Sequence, residues 1–97
     1  MRITINSPSD LGLAVRSVRR HSKVRLDDLA ATAGVSKQFT SDVEHGKATV
    51  QLGLVLKLLS ELGIPLELDI PHEAAQSLAA LRAQGGARPA RRSKKRR

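Results

Sequence analysis

From Leu11 onward the apolar residues Leu11, Ala14, Val15 and Val18 recur at helical spacing, which predicts a helix with one apolar face as far as about His21. Ser7-Pro8-Ser9-Asp10 supplies its start, with Ser7 as N-cap, Pro8 at the first helical position and Asp10 near the positive end of the helix dipole. Leu29, Ala30 and Ala33 predict a second, shorter helix beginning near Leu26, with Asp27 and Asp28 in its first turn. Gly34 stops it, because glycine accepts the positive φ that a helix C-terminus often needs. Ser36 caps a third helix, Ser36 to Glu44, around which Val35, Phe39 and Val43 fall four residues apart; His45-Gly46-Lys47 ends it. Thr49 is expected to cap a fourth helix running to Leu62 and closed by Gly63. Its apolar residues go most of the way round, which predicts cover on more than one side. Strict alternation occurs twice, at Ile3/Ile5 and at Leu66-Glu67-Leu68-Asp69-Ile70, and each run predicts a short strand. Pro71 and Glu73 open a weak Ala-rich helix to about Ala83, which Gly85-Gly86 breaks.

Composition narrows the picture. Ninety-seven residues make one small domain with appendages, and Phe39 is the sole aromatic, so the core must be built from Leu, Val, Ile and Ala on packed helices. So small a core favours help from a partner subunit. The absence of Cys excludes a disulfide framework and thiolate metal sites and fits a reducing cytosol. No apolar run approaches the roughly 20 residues of a membrane span, and the start does not resemble a signal peptide. The expected location is therefore cytoplasmic. His21, His45 and His72 are scattered without acidic partners at ligand spacing, so neither a metal nor a cofactor is expected. No nucleophile elbow, phosphate loop or paired-acid arrangement is present, which argues against an enzyme.

The formal net charge is +8, but its placement says more than its size. Residues 82–97 carry eight basic residues and no acid, so residues 1–81 are balanced at nine of each sign. Within them, residues 1–60 have nine Lys/Arg against five Asp/Glu, while 61–81 have four acids and no Lys or Arg. A basic front and an acidic rear suit a protein that docks DNA with one face. The implied layout is a folded domain over 1–71, a weak helix over 72–83, and a basic tail over 84–97 too poor in apolar residues to fold.

Between Leu26 and Gly46 the chain meets the demands of two helices crossing steeply through a very short connection. Ala30 is the small residue at the close approach, Gly34 the turn, and Leu29, Val35 and Val43 the inward anchors. The stretch LDDLAATAGVSKQFTSDVEHGK resembles the helix-turn-helix of the phage Cro/repressor (XRE) family, with its Leu-Ala pair, Gly-Val-Ser and Glu-x-Gly-Lys close. Over roughly residues 5–71, the fourth helix followed by Gly-Ile-Pro-Leu-Glu-Leu makes the chain similar to HipB-type antitoxins. The resemblance implies an all-α, lambda-repressor-like domain with a short β-strand dimerisation lid (Leu66, Leu68, Ile70), and a HipA-type kinase toxin as partner.

Residue by residue, Lys37, Gln38 and Ser41 match family positions that face base edges, and their chemistry agrees. Lys donates to guanine O6/N7, Gln pairs with adenine N6 and N7, and Ser serves either. Ser36, Arg25, His45 and Lys47 sit at helix ends and are candidates for phosphate contacts, which position without specifying. Arg19 and Glu44 match a family pair that ties the first helix to the third, a structural salt bridge. Three positions depart from the family pattern. Leu26 stands where many relatives carry a phosphate-touching Gln, Arg25 replaces the usual Ser/Thr cap, and Thr40 replaces an apolar core residue. Asp42 either accepts from cytosine N4 or pairs with a base such as Lys37 or His45. Phe39 belongs to the core.

The Leu66–Ile70 run either pairs internally with Ile3–Ile5 or meets a second chain. Isolated strands are marginal and apolar edges invite partners, which favours the second option and a homodimer. Two recognition helices then lie about 34 Å apart, one DNA turn, as a palindromic operator in double-stranded DNA requires. The RRSKKRR tail is either a solvated tail with non-specific phosphate attraction or a tracker of flanking DNA. The expected function is a sequence-specific dimeric transcriptional repressor, the antitoxin autoregulating a toxin–antitoxin operon. The alternatives are an interaction subunit that inhibits a kinase toxin, and a non-specific nucleoid-type binder.

Overall fold

The computed structural model describes residues 1–85. Among them are five α-helices: α1 (Pro8–His21), α2 (Leu26–Ala33), α3 (Lys37–Glu44), α4 (Leu52–Glu61) and α5 (Ala75–Ala83), the last preceded by a 3₁₀ turn at His72–Ala74. Packing divides the chain between Leu66 and Glu67, leaving α1–α4 in the first unit and α5 in the second. Residues 86–97, most of the basic tail, lie outside the described residues.

The first three helices start and stop where caps and breakers predict. Ser7 Oγ accepts the Asp10 N–H at 3.1 Å, while Asp10 Oδ2 accepts the Asn6 N–H at 2.9 Å, so the opening turn of α1 is tied from both directions. At the end of α2, Gly34 takes φ 72° and ψ 33°, and the Gly34 and Val35 N–H groups close on the carbonyls of Ala31 and Ala30. Val15, Leu29, Ala33, Val43, Val55, Leu58 and Leu59 form the core, with Phe39 packed half-buried against it. The apolar cluster itself is wholly aliphatic. Thr40 is fully buried there, and its Oγ1 donates to the Ser36 carbonyl at 3.0 Å, so the hydroxyl is satisfied within its own helix.

The fourth helix differs from its predicted bounds. It begins at Leu52 with Gln51 at the N-cap and no side-chain cap, rather than at Thr49. The chain bends at Ala48–Thr49 and brings Val50 against the core before the helix starts. Its cover is also one-sided, since Val55, Leu58 and Leu59 are buried while Leu52 and Leu56 are exposed. Neither alternating run is a strand: residues 2–6 and 66–70 carry no ladder, and Ile3, Ile5, Leu66, Leu68 and Ile70 are all exposed. A strand is stabilised only by the neighbour it pairs with, so an alternating pattern predicts the side-chain faces but cannot supply the neighbour. Among the described residues every regular element is therefore a helix, and no strand lid forms within the single chain. Among the described residues, no helix is long and apolar enough to cross a membrane.

Candidate nucleic-acid interface

α3 is a short helix whose two sides have different owners. Thr40, Val43 and Glu44 are buried, whereas Lys37 and Gln38 are exposed and Ser41 is half-exposed. Ser36 holds the N-cap: its Oγ accepts the Phe39 N–H at 2.9 Å, and its carbonyl accepts the Thr40 N–H at 3.1 Å. A hydroxyl that accepts from the helix still has its own proton to donate outward. At the other end, His45 caps the helix; its N–H and its ring Nδ1 both reach the Ser41 carbonyl, at 3.0 and 2.8 Å. A carbonyl only accepts, so Nδ1 carries the proton there. The Ser41 Oγ lies 3.4 Å from the same Nδ1.

The buried end of α3 is clamped by α1. Arg19 binds both Glu44 carboxylate oxygens, Nε to Oε2 at 2.5 Å and Nη2 to Oε1 at 2.9 Å, and its Nη1 donates to the Val24 carbonyl at 3.0 Å. The side chains are 12% and 2% exposed, so this is a desolvated, two-pronged ion pair. The Glu44 carboxylate holds the Arg19 guanidinium above the ordinary arginine pKa against the opposing effect of burial. Arg16 Nη2 adds a bond to the Glu44 carbonyl at 2.9 Å, placing a second cation at the negative end of the α3 dipole.

Two glycines let the backbones come this close. A Cβ on Gly12 would lie 2.5 Å from the Val43 carbonyl oxygen and 2.6 Å from that of Glu44. Gly46, at φ 79°, passes directly over Ser9, where a Cβ would lie 2.8 Å from the Ser9 Cα. Ser9, Gly12, Arg16 and Arg19 thus form one stripe of α1 that receives the end of α3. Sequence reasoning found Arg19 and missed the other three. Their spacing of three, four and three residues along one helix face was the available signal.

The predicted phosphate-contact residues fall into different settings. Ser36 and His45 flank α3 as caps. Arg25 stands at the N-cap of α2 without capping it; its guanidinium instead pairs with Asp27 at 3.2 and 3.5 Å on the open surface. The Arg25 bond holds the Asp27 carboxyl below its usual range, and Asp27 in turn raises Arg25. The Lys47 Nζ lies 3.6 Å from Asp42 Oδ2. Asp42 also accepts from Gln38, Nε2 to Oδ1 at 2.9 Å, so its partners are Gln38 and Lys47 rather than Lys37 or His45. Leu66, Leu68 and Ile70 remain exposed.

The chain is similar to known proteins. The chain is 44% identical over 69 residues to the uncharacterized HTH-type transcriptional regulator y4mF of Sinorhizobium fredii, a match spanning 71% of this chain and 91% of that protein. No protein-family model matches. Among solved structures, a chain of the HipA-HipB-O2-O3 complex superposes with a TM-score of 0.66 at 25% identity, covering 71% of this chain and 97% of that one. A chain of the HipB-O4 20mer complex gives the same values. The clp gene regulator ClgR from C. glutamicum covers 88% of this chain and 97% of its own, at a TM-score of 0.55 and 25% identity.

Proposed function

This chain belongs to the HTH-type transcriptional regulators, DNA-binding proteins rather than enzymes, and from that premise we propose that it is a sequence-specific dimeric repressor, the antitoxin of a HipBA-type operon. One observation carries the DNA-reading part. α3 is fixed by its Ser36 cap and by the Arg19–Glu44 clamp, and the side turned from the core carries Lys37, Gln38 and Ser41. A rigid helix bearing donors and a donor–acceptor amide is what base-edge recognition in the major groove requires. Ser36, Arg25, His45 and Lys47 then take phosphates and set the register.

Dimerisation is supported by the apolar surface on α4. Exposed Leu52 and Leu56 sit beside two open grooves: one of about 480 Å³ lined by Leu56, Leu59, Ile64 and Leu66, the other of about 310 Å³ lined by Ile5, Leu11, Val50 and Leu52. Small domains seldom leave such a surface uncovered. The Leu66, Leu68 and Ile70 run then gains its partner strand from the second copy. The antitoxin role, with a HipA-type kinase toxin as second partner, rests on the likeness to HipB chains, one of them in a complex with HipA. Such a regulator works in the cytoplasm, on the nucleoid.

Selection of duplexes from a library randomised over about 25 base pairs tests the reading. The expected product is a two-fold symmetric motif with half-site centres one helical turn, about 34 Å, apart. An asymmetric single half-site would contradict the dimer, and the absence of any enriched sequence would contradict specific recognition. Co-purification with the product of an adjacent kinase-like gene tests the antitoxin role; no complex at micromolar concentration would count against it.

A further inference from the structure

We infer that Asp42 is a positioning residue that decides which base Gln38 reads, acting through the Gln38 amide rather than on DNA itself. The inference rests on the reading of α3 as the recognition helix. A glutamine on an open helix surface turns freely about its last torsion and can present either its oxygen or its nitrogen. Here it does not. Gln38 Nε2 donates to Asp42 Oδ1 at 2.9 Å, one turn further along the same face. A carboxylate only accepts, so this bond fixes which end of the amide is the nitrogen.

Asp42 is held from its other side. Its Oδ2 lies 3.6 Å from Lys47 Nζ, and its carbonyl accepts the Lys47 N–H at 3.0 Å. Each carboxylate oxygen therefore already has a partner, one per neighbour. Lys47 also offsets a negative charge that would otherwise sit on the face turned to phosphates. Once one Nε2 hydrogen is committed to Asp42, Gln38 retains one hydrogen and Oε1. That pair matches the N7 acceptor and N6–H donor of adenine, and no other base presents the same pattern in the major groove.

The test compares the full-length chain with Gln38→Ala, Asp42→Ala and Asp42→Asn by selection on duplexes randomised over about 20 base pairs. Gln38→Ala identifies the base pair that Gln38 reads, as the column whose preference disappears. Asp42→Ala is expected to weaken preference in that same column by about tenfold, with the other columns kept. Asp42→Asn retains an acceptor at the same place and is expected to keep the column within about threefold of wild type. Asp42 lies on the surface of α3, so neither change opens the core. A column that survives Asp42→Ala overturns the inference alone. Loss in a different column, as from a direct bond to cytosine, also overturns it, as does a uniform fall in every column. A wild-type chain that enriches no motif overturns the α3 reading and this inference with it.

Discussion

At Gly12 the absence of a side chain decides how closely two helices meet. Gly12→Ala would drive a methyl group to 2.5 Å from a backbone oxygen that has no rotamer to escape into. The expected cost is about 1–3 kcal/mol or more, read as a lower urea midpoint with an unchanged m-value. Glu44 is the polar counterpart. Glu44→Ala strands the Arg19 guanidinium among buried groups, and about 3–5 kcal/mol of stability is expected to go with it. Asp27 has the opposite character: exposed, of little structural worth, and occupying a cation that DNA would otherwise attract. Asp27→Asn should free Arg25, tighten DNA binding, and steepen the plot of log K against log salt by about 0.9, one further phosphate neutralised. An unchanged slope would mean that Arg25 faces no phosphate.

Local rules wrote most of the helices. Ser7, Gly34 and Ser36 each act within a turn of their own position, so the bounds of α1, α2 and α3 were legible from the sequence. The start of α4 was not, because Val50 is pulled toward the core by residues far away in the chain, which a candidate cap at Thr49 cannot reveal. The two alternating runs mark faces without naming partners, so their strand reading needed a neighbour that the sequence of one chain does not specify. In α3, Lys37, Gln38 and Ser41 could be singled out by position. The Gln38–Asp42–Lys47 contacts could not, because Lys37, Gln38, His45 and Lys47 all stand within five residues of Asp42. At the scale of this element, the dimer proposal predicts that Leu68→Asp lowers the mass measured by equilibrium sedimentation to that of a monomer. A dimer surviving that change together with Leu56→Asp would place the interface elsewhere.

Across the whole chain, charge is divided between a balanced body and a basic end. Affinity and specificity should therefore separate. Deleting residues 84–97 removes seven cations and is expected to flatten the salt slope by up to about 6 while preserving preference for one sequence over another. On the proposed reading specificity belongs to α3, whose placement depends on α1 through Gly12, Arg16 and Arg19. The most direct measurement is the ratio of affinities for a selected operator and for random duplex, taken for the wild type and for Lys37→Ala/Gln38→Ala. At about 1–3 kcal/mol per base contact, the ratio is expected to fall by at least about thirtyfold in the double variant, with random-duplex binding changed far less. A ratio that stays the same would contradict the assignment of base recognition to α3.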